Sequence, residues 1–129
     1  MVQMWAIEED GRLPEAARIK VPDVVDNRRT IIGMVESGLV VQCALTLEFT
    51  PRGRARARDL VRRRRLAEVL FSSAMHLPDP EVEAAACRME HIINPEVTNS
   101  ICSFLGHPKS CPHGHAIPTG DCCELPIVS

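Results

Sequence analysis

Aromatic side chains are scarce in this chain, which has one Trp, three Phe and no Tyr among its 129 residues. Because 45% of the residues are nonetheless hydrophobic, the core must be built from Leu, Val, Ile, Ala and Met. A core of this composition favours packed helices. We therefore predict a mainly α-helical protein, organised either as one compact domain or as two small lobes that share a core.

The sequence also lacks a long apolar segment. No stretch approaches the roughly 18 residues that a membrane-crossing helix needs, and the first ten residues include Glu8, Glu9 and Asp10, which a secretory signal would not carry. We expect a soluble, cytoplasmic protein that does not interact with a membrane. Its six cysteines are then better interpreted as reduced thiols, some of them metal ligands, than as disulfides.

Positive charge is concentrated in one segment. Residues 52–65 contain eight arginines and a single acidic residue, Asp59, whereas the whole chain has a net charge of -2. A basic segment of this kind attracts polyanions such as DNA. A solvated helix face is the commoner explanation of dense arginine, and we expect Arg62, Arg63 and Arg65 to be solvated.

Three helix starts are marked by an N-cap residue followed by proline, at Thr50-Pro51, Asp79-Pro80 and Asn94-Pro95. They predict helices over about residues 51–75, 80–93 and 95–105. In the first half we predict a helix over 25–37 that ends at Gly38, an upstream helix near 14–20, and a hairpin with strands over 39–42 and 45–49.

A helix, a hairpin and then a basic helix is the order of a winged helix-turn-helix. In such a motif the start of the recognition helix enters the major groove, which here places Arg28, Arg29 and Thr30 at the base edges. Arg52 and Arg54 follow the hairpin and could contact phosphates. The tip of the hairpin, residues 42–44, carries no positive charge.

Cys87, Glu90 and His91 bring a thiol, a carboxylate and an imidazole into one predicted helical turn. Positions i, i+3 and i+4 lie on one helix face, so the three side chains could bind one metal ion. This ligand set suits Fe(II), Ni, Co or Zn better than Mg or Ca. Without further support, a buried thiol next to a solvated Glu and His would be the commoner interpretation.

The C-terminal segment is rich in cysteine and histidine and has no helical period. It offers a candidate second metal site, formed by Cys111, His113, Cys122 and Cys123, that could take Zn(II). Their spacing matches no common zinc-finger pattern. The alternative is a loop with free or redox-active thiols.

Four segments of the chain together resemble the diphtheria-toxin-repressor family of metal-dependent transcription regulators. They are residues 47–54 (LEFTPRGR), 65–68 (RLAE), 86–91 (ACRMEH) and 114–118 (GHAIP). The order and spacing of the segments match the family as well, and the resemblance extends from about residue 38 to 118.

The resemblance implies a winged helix-turn-helix DNA-binding domain over 1–58, short at its N-terminus, and a helical metal-binding and dimerisation domain over 59–129. It places the primary metal site at Cys87, Glu90 and His91, with a further ligand from the first helix. It places an ancillary site at Glu68 and Glu83. Arg64 stands where the family usually has histidine, and we predict that it pairs with Glu68 or Glu83 in place of an ion.

The function implied by the resemblance is metal-dependent repression of metal-uptake genes by a homodimer bound to a double-stranded DNA operator. A thiol in the primary site favours Fe(II), with Mn(II) next. No small-molecule substrate and no enzymatic activity are expected. One alternative is a metal-binding helical dimer that has lost specific DNA binding, and another is a small metallohydrolase with a metal-bound water.

Overall fold

The computed structural model describes residues 1–15 and 28–124. Within them the fold is mainly helical with one two-stranded antiparallel sheet, which confirms the predicted predominance of helix. The elements are α1 (Val2–Glu9), α2 (Arg28–Glu36), β1 (Val40–Cys43), β2 (Thr46–Phe49), α3 (Pro51–Val69), α4 (Asp79–Met89), α5 (Pro95–Phe104) and α6 (Asp121–Glu124). A π-helical turn, Leu70–Ala74, continues α3. The predicted helix near 14–20 and the start of the predicted helix over 25–37 fall largely outside the described residues.

The chain divides into two compact units, Met1–Arg58 and Asp59–Ser129. The core of the first unit is apolar and consists of Met4, Ile31, Met34, Val40 and Leu47. Met4 is fully buried in this core. The second unit has a core of Leu66, Cys102, Cys111 and Ile117, in which two of the four side chains are thiols.

The hairpin in the first unit forms where the sequence predicts it. Val40 pairs with Phe49 and Cys43 with Thr46, leaving a two-residue turn in which Ala44 has a φ of 55°. Helix α2 ends at Glu36, and Gly38 follows with a φ of 74°, the left-handed conformation expected of a glycine C-cap. The Leu39 amide donates to the Met34 carbonyl at 2.9 Å and closes this cap.

Two of the three predicted N-caps are confirmed. The Thr50 hydroxyl accepts a hydrogen bond from the Gly53 amide at 3.0 Å, and Asn94 Oδ1 accepts one from the Val97 amide at 2.8 Å. The prediction for Asp79 was wrong. Helix α4 begins one residue earlier, with Pro78 as its N-cap and no side-chain cap hydrogen bond, because the Pro78 carbonyl accepts from the Glu81 and Val82 amides.

The predicted solvated arginine face is also wrong. Arg62, Arg63 and Arg65 are only 5%, 7% and 6% exposed. Each has a partner that offsets part of the cost of burial. Arg63 pairs with Asp59 at 2.6 Å, Arg65 donates to the Ala116 carbonyl at 2.6 Å, and Arg62 lies 3.2 Å from the Cys122 sulfur.

In the described part of the chain no helix combines the length and the apolar character that crossing a bilayer would require.

Candidate metal centre

A cluster of three metal-ligand side chains lies between α3 and the segment that follows α5. Ligand atoms of Glu68, Cys111 and His113 all lie within 4.8 Å of one another. Glu68 and Cys111 are buried, which is unusual for a carboxylate and directs both groups away from bulk water. A buried thiol, a buried carboxylate and an accessible imidazole form a donor set that suits a divalent transition metal.

A tight turn positions the two loop ligands. The Gly114 amide donates to the Cys111 carbonyl at 2.9 Å, and the Cys111 amide donates to the His115 carbonyl at 2.9 Å. Gly114 has a φ of 81°, a conformation that a side chain would strain. The hydrogen bond from Arg65 to the Ala116 carbonyl fixes the same loop to α3, so Cys111 and His113 are held against Glu68.

The imidazole of His113 lies among three carboxylates. Its Nδ1 is 3.3 Å from Glu68 Oε2, and its Nε2 is 3.6 Å from Asp79 Oδ1 and 3.7 Å from Glu83 Oε1. Glu68 and Glu83, which the sequence predicted for an ancillary site, therefore lie on the two sides of one histidine ring. A histidine thus lies beside both Glu68 and Glu83, although position 64 itself holds an arginine.

Arg64 forms the ion pair predicted for it with Glu68, with Nε 3.3 Å from Oε1. Its second acidic partner is Glu90, whose Oε2 lies 3.9 Å from Arg64 Nη1. One guanidinium thus stands between a carboxylate of the Glu68 cluster and a carboxylate of the predicted primary site. Its positive charge competes with any cation that binds either carboxylate.

The residues of the predicted primary site lie at the end of α4. Glu90 is 4% exposed, and its Oε1 is 3.2 Å from Nε2 of the exposed His91. Its Oε2 is buried with no hydrogen-bond partner among the described residues. Burial raises the pKa of Glu90 above its ordinary value, although the positive charges of Arg64 and His91 oppose the shift.

Cys87, on the preceding turn, is half-buried and is not brought together with both of these side chains. Within the described part of the chain, the ligand atoms of Cys87, Glu90 and His91 do not all lie within 4.8 Å of one another. Helix α4 ends at Met89, and the His91 amide then bonds to the Arg88 carbonyl at 3.4 Å in a tighter turn. The regular helical spacing on which the prediction depended is therefore not kept.

The four residues of the predicted C-terminal site are divided between two clusters. Cys111 and His113 join Glu68, whereas Cys122 and Cys123 lie with Cys102 and His107. Cys102 was not among the ligands predicted from the sequence, because it occupies a position that fits the apolar pattern of α5. The Cys-x4-His spacing between Cys102 and His107 was the signal that could have identified this second group.

The thiols of the second group differ in acidity. Burial raises the pKa of Cys102 to about 12. At Cys123 the effect of burial is outweighed by hydrogen bonds from the Gly120 backbone and from the Cys102 and His107 side chains, which lower its pKa to about 6.

The predicted DNA-contacting residues all lie in the first unit. Arg28, Arg29 and Thr30 are exposed on the first turn of α2. Arg52 donates to the Ser37 carbonyl at 3.4 Å. Arg54 forms two hydrogen bonds with Glu8, at 3.0 and 3.4 Å, and its guanidinium lies 5.2 Å from the centre of the Phe49 ring.

Residues 50–119, more than half of the chain, match the family model described as the iron-dependent repressor, metal-binding and dimerisation domain. The chain belongs to the iron-dependent repressor family. This confirms the resemblance drawn from the sequence. The match includes the three residues of the Glu68 cluster, Glu68, Cys111 and His113. It also includes the three residues of the predicted primary site, Cys87, Glu90 and His91.

Named relatives of this family are similar over most of the chain. The iron-dependent repressor IdeR of Mycobacterium leprae is 36% identical over 122 residues, which are 89% of this chain and 52% of the relative. The diphtheria toxin repressor of Corynebacterium diphtheriae is 34% identical over 122 residues, with 89% of this chain and 53% of the relative covered. The chain therefore spans about half the length of these relatives.

Solved structures of regulators share the fold. A manganese-dependent transcriptional repressor in complex with manganese superposes with a TM-score of 0.77 at 28% identity, covering 93% of this chain and 57% of that one. The manganese regulator SloR gives a TM-score of 0.76 at 22% identity, with 92% and 57% covered.

Proposed function

We propose that this protein is a metal-dependent, DNA-binding transcriptional regulator, acting as a repressor in response to Fe(II) or Mn(II). The observation that carries the proposal is the cluster of Glu68, Cys111 and His113, which lies inside the segment matched by the metal-binding and dimerisation model. The names of the iron- and manganese-dependent relatives support the same pair of ions.

The residues of this cluster fit a transition metal ion. Glu68 and Cys111 are buried ligands from different parts of the chain, and a carboxylate such as that of Glu68 is costly to bury unless its charge is compensated. When bound, the ion supplies positive charge and a cross-link between α3 and the 111–113 turn. Arg65 holds the loop in place for this, and His113 must be neutral to offer a nitrogen lone pair.

Cys87, Glu90 and His91 are proposed as ligands of the primary ion. Glu90 supports this assignment because its Oε2 is buried without a hydrogen-bond partner among the described residues, Arg64 Nη1 being 3.9 Å away, and could therefore bind a cation directly. Rotation of the exposed His91 and the half-buried Cys87 side chains would be needed to complete the site. The donor set of thiolate, carboxylate and imidazole favours Fe(II) over harder ions.

The first unit is proposed to be a winged helix-turn-helix domain over residues 1–58, followed by the metal-binding and dimerisation domain over 59–129. The order α2, hairpin and α3 supports this, as does the exposure of Arg28, Arg29 and Thr30 on the first turn of α2. The proposed partners are a double-stranded DNA operator and a second copy of the chain, and the proposed location is the cytoplasm.

Binding of DNA with and without metal tests this function. Operator fragments are selected from genomic DNA in the presence of Mn(II), or of Fe(II) without oxygen, and affinity is measured by fluorescence anisotropy. We expect metal to increase affinity by about tenfold or more. His113→Ala and Cys87→Ala should each abolish this increase without unfolding the protein.

His115→Ala is the matched control, because His115 lies in the same loop and outside the clusters of ligands. It should retain the response to metal. Equal affinity in the presence of metal and of chelator would contradict the proposal, and a metal response that survives both His113→Ala and Cys87→Ala would contradict the site assignment.

One observation favours a second candidate, a metal-binding helical dimer without specific DNA binding. Arg54 forms an ion pair with Glu8 and packs over Phe49, and Arg52 donates to the Ser37 carbonyl. Both side chains therefore already have partners within the protein, which would compete with phosphate contacts. The selection experiment separates the two candidates, since this one predicts tight metal binding but no enriched sequence. The other alternative, a small metallohydrolase, is not supported by the comparisons, because the relatives and solved structures are named repressors and regulators.

A further inference from the structure

Three thiols and one imidazole meet where α6 packs against the end of α5. Cys102 lies on the last turn of α5, His107 follows that helix, and Cys122 and Cys123 lie on α6. Ligand atoms of all four residues lie within 4.8 Å of one another. None of them belongs to the metal sites of the proposed function.

Five of the six distances between these ligand atoms are close to the edges of a tetrahedron around one ion. Two sulfur–sulfur distances are 3.5 Å (Cys102–Cys123) and 3.8 Å (Cys122–Cys123). From His107 Nδ1 the distances are 3.3 Å to Cys102, 3.6 Å to Cys123 and 3.8 Å to Cys122. A tetrahedral zinc ion with ordinary Zn–S and Zn–N bonds places its sulfurs about 3.8 Å apart and sulfur and nitrogen about 3.6 Å apart.

The backbone brings His107 back over Cys102. Gly106 and His107 both have positive φ, 77° and 55°, and the His107 amide donates to the Cys102 carbonyl at 2.8 Å. This closes the C-terminus of α5 with an αL turn. On the other side, the Cys123 amide donates to the Gly120 carbonyl at 2.9 Å and begins α6. Each pair of ligands is therefore fixed by local hydrogen bonds.

A buried arginine supports a negatively charged centre at this place. Arg62 Nη2 lies 3.2 Å from the Cys122 sulfur, in hydrogen-bond range of a thiolate. Gly120 leaves room for the guanidinium, since a Cβ there would lie 2.5 Å from Arg62 Cζ. Three thiolates around a divalent cation carry a net negative charge, which this guanidinium offsets from outside the ligand shell.

We propose that Cys102, His107, Cys122 and Cys123 bind one Zn(II) ion in a closed, four-ligand structural site. Soft thiolates with one imidazole select zinc over iron or manganese, and a site with four protein ligands has no open position for water or a substrate. The ion fastens α6 to the end of α5. This site is independent of the DNA response.

Zinc content tests the proposal. The full chain is purified under reducing conditions without chelator, desalted, and analysed for zinc by mass spectrometry and for free thiols by alkylation. We expect about one zinc ion per chain to survive desalting, and replacement by Co(II) to give tetrahedral visible bands with thiolate charge transfer. His107→Asn and Cys123→Ser should each lose this ion.

His107→Asn is the informative variant because His107 is exposed and Asn tolerates its positive φ, so the fold should survive the change. His115→Asn is its matched control, and His113→Ala must leave the ion in place. The proposal is overturned if His107→Asn retains the zinc of the parent, if zinc is lost with His113→Ala, or if the protein purified under reducing conditions holds no zinc, whether its thiols are free or Cys102 and Cys123 have formed a disulfide. Each of these results is independent of whether the chain binds DNA.

Discussion

At the scale of single residues, Arg64 influences both proposed metal sites, because its guanidinium forms ion pairs with Glu68 and with Glu90. A guanidinium cannot give up its proton, so it places a permanent positive charge beside both Glu68 and Glu90. At Glu90 this charge opposes the rise in pKa that burial causes. Its own side chain is 27% exposed, whereas those of Glu68 and Glu90 are 7% and 6% exposed. The arginine therefore stabilises the metal-free protein by neutralising two buried charges.

Arg64→Ala is expected to destabilise the metal-free protein and to strengthen metal binding. Two buried carboxylates lose their compensating charge, which should lower the free energy of unfolding by about 1–3 kcal/mol after allowance for the partial exposure of Arg64. The same carboxylates then bind Mn(II) more tightly, because the competing cation has gone. Urea denaturation and calorimetric titration measure the two effects. Arg56→Ala, at an exposed position of the same helix, should change neither, and weaker Mn(II) binding by Arg64→Ala would disprove the competition.

The residue types alone indicated metal binding, but they could not show which ligands belong to the same metal site. Cys111 and Cys122 are eleven positions apart in one Cys- and His-rich segment, yet they join different clusters. Their partners, Glu68 and Cys102, come from helices whose contacts are set by tertiary packing. A sequence shows which side chains can bind a metal, whereas the fold decides which of them meet.

At the scale of elements, local chemistry accounts for what was predictable. Thr50 and Asn94 each have a side chain that satisfies a free helix amide, and Gly38 adopts the left-handed conformation that ends α2, so those boundaries follow from short segments. Asp79 has the same residue type as a good cap but is already helical. The end of α4 could not be predicted from local sequence, because Glu90 is buried there in contact with Arg64, a residue of α3 that is distant in the chain.

The junction between the hairpin and α3 depends on a close backbone approach at Gly53. A Cβ at this position would lie 1.6 Å from the Leu39 carbonyl oxygen, so Gly53→Ala must displace the helix from the hairpin. We expect a loss of about 3 kcal/mol or more in the free energy of unfolding.

Gly33→Ala is the matched substitution, since Gly33 lies within α2 and its added Cβ would meet nothing within 4 Å. It should stabilise the protein by about 0.5–1 kcal/mol through the better helix propensity of alanine. Thermal and chemical denaturation of both variants compare the two cases. Equal stability of Gly53→Ala and the parent would show that α3 does not approach the hairpin this closely.

At the scale of the whole molecule, composition predicted the class of fold correctly. The density of arginine, in contrast, did not predict which arginines are exposed to solvent. Scarce aromatics and abundant aliphatic residues correctly indicated a helical protein. The cluster of arginines suggested one solvated basic face, but α3 is exposed near its start and buried near its end, in the second unit. There Arg62, Arg63 and Arg65 are buried, and each contacts a different partner. Charge density along a sequence does not reveal burial, because two of these three arginines have partners that are distant in the chain, Cys122 for Arg62 and Ala116 for Arg65.

The second unit leaves large apolar side chains in contact with solvent, and we expect the two copies of the proposed dimer to meet there. Val97 and Phe104, seven residues apart on the same face of α5, are 42% and 76% exposed, and Ile92 just before that helix is 77% exposed. Exposed apolar groups of this size are typical of interaction surfaces, and the matching family model describes a dimerisation domain.

Phe104→Glu is therefore expected to dissociate the proposed dimer, because a charge would have to be buried without a partner in the interface. Sedimentation velocity over a range of concentrations should show the parent as a dimer and the variant shifted to monomer, with the dissociation constant raised by about tenfold or more. Leu45→Glu is the control, since Leu45 is 77% exposed in the hairpin turn of the first unit. Dissociation by Leu45→Glu with Phe104→Glu still dimeric would move the interface to the first unit. A parent chain that stays monomeric at every concentration would contradict the homodimer of the proposed function.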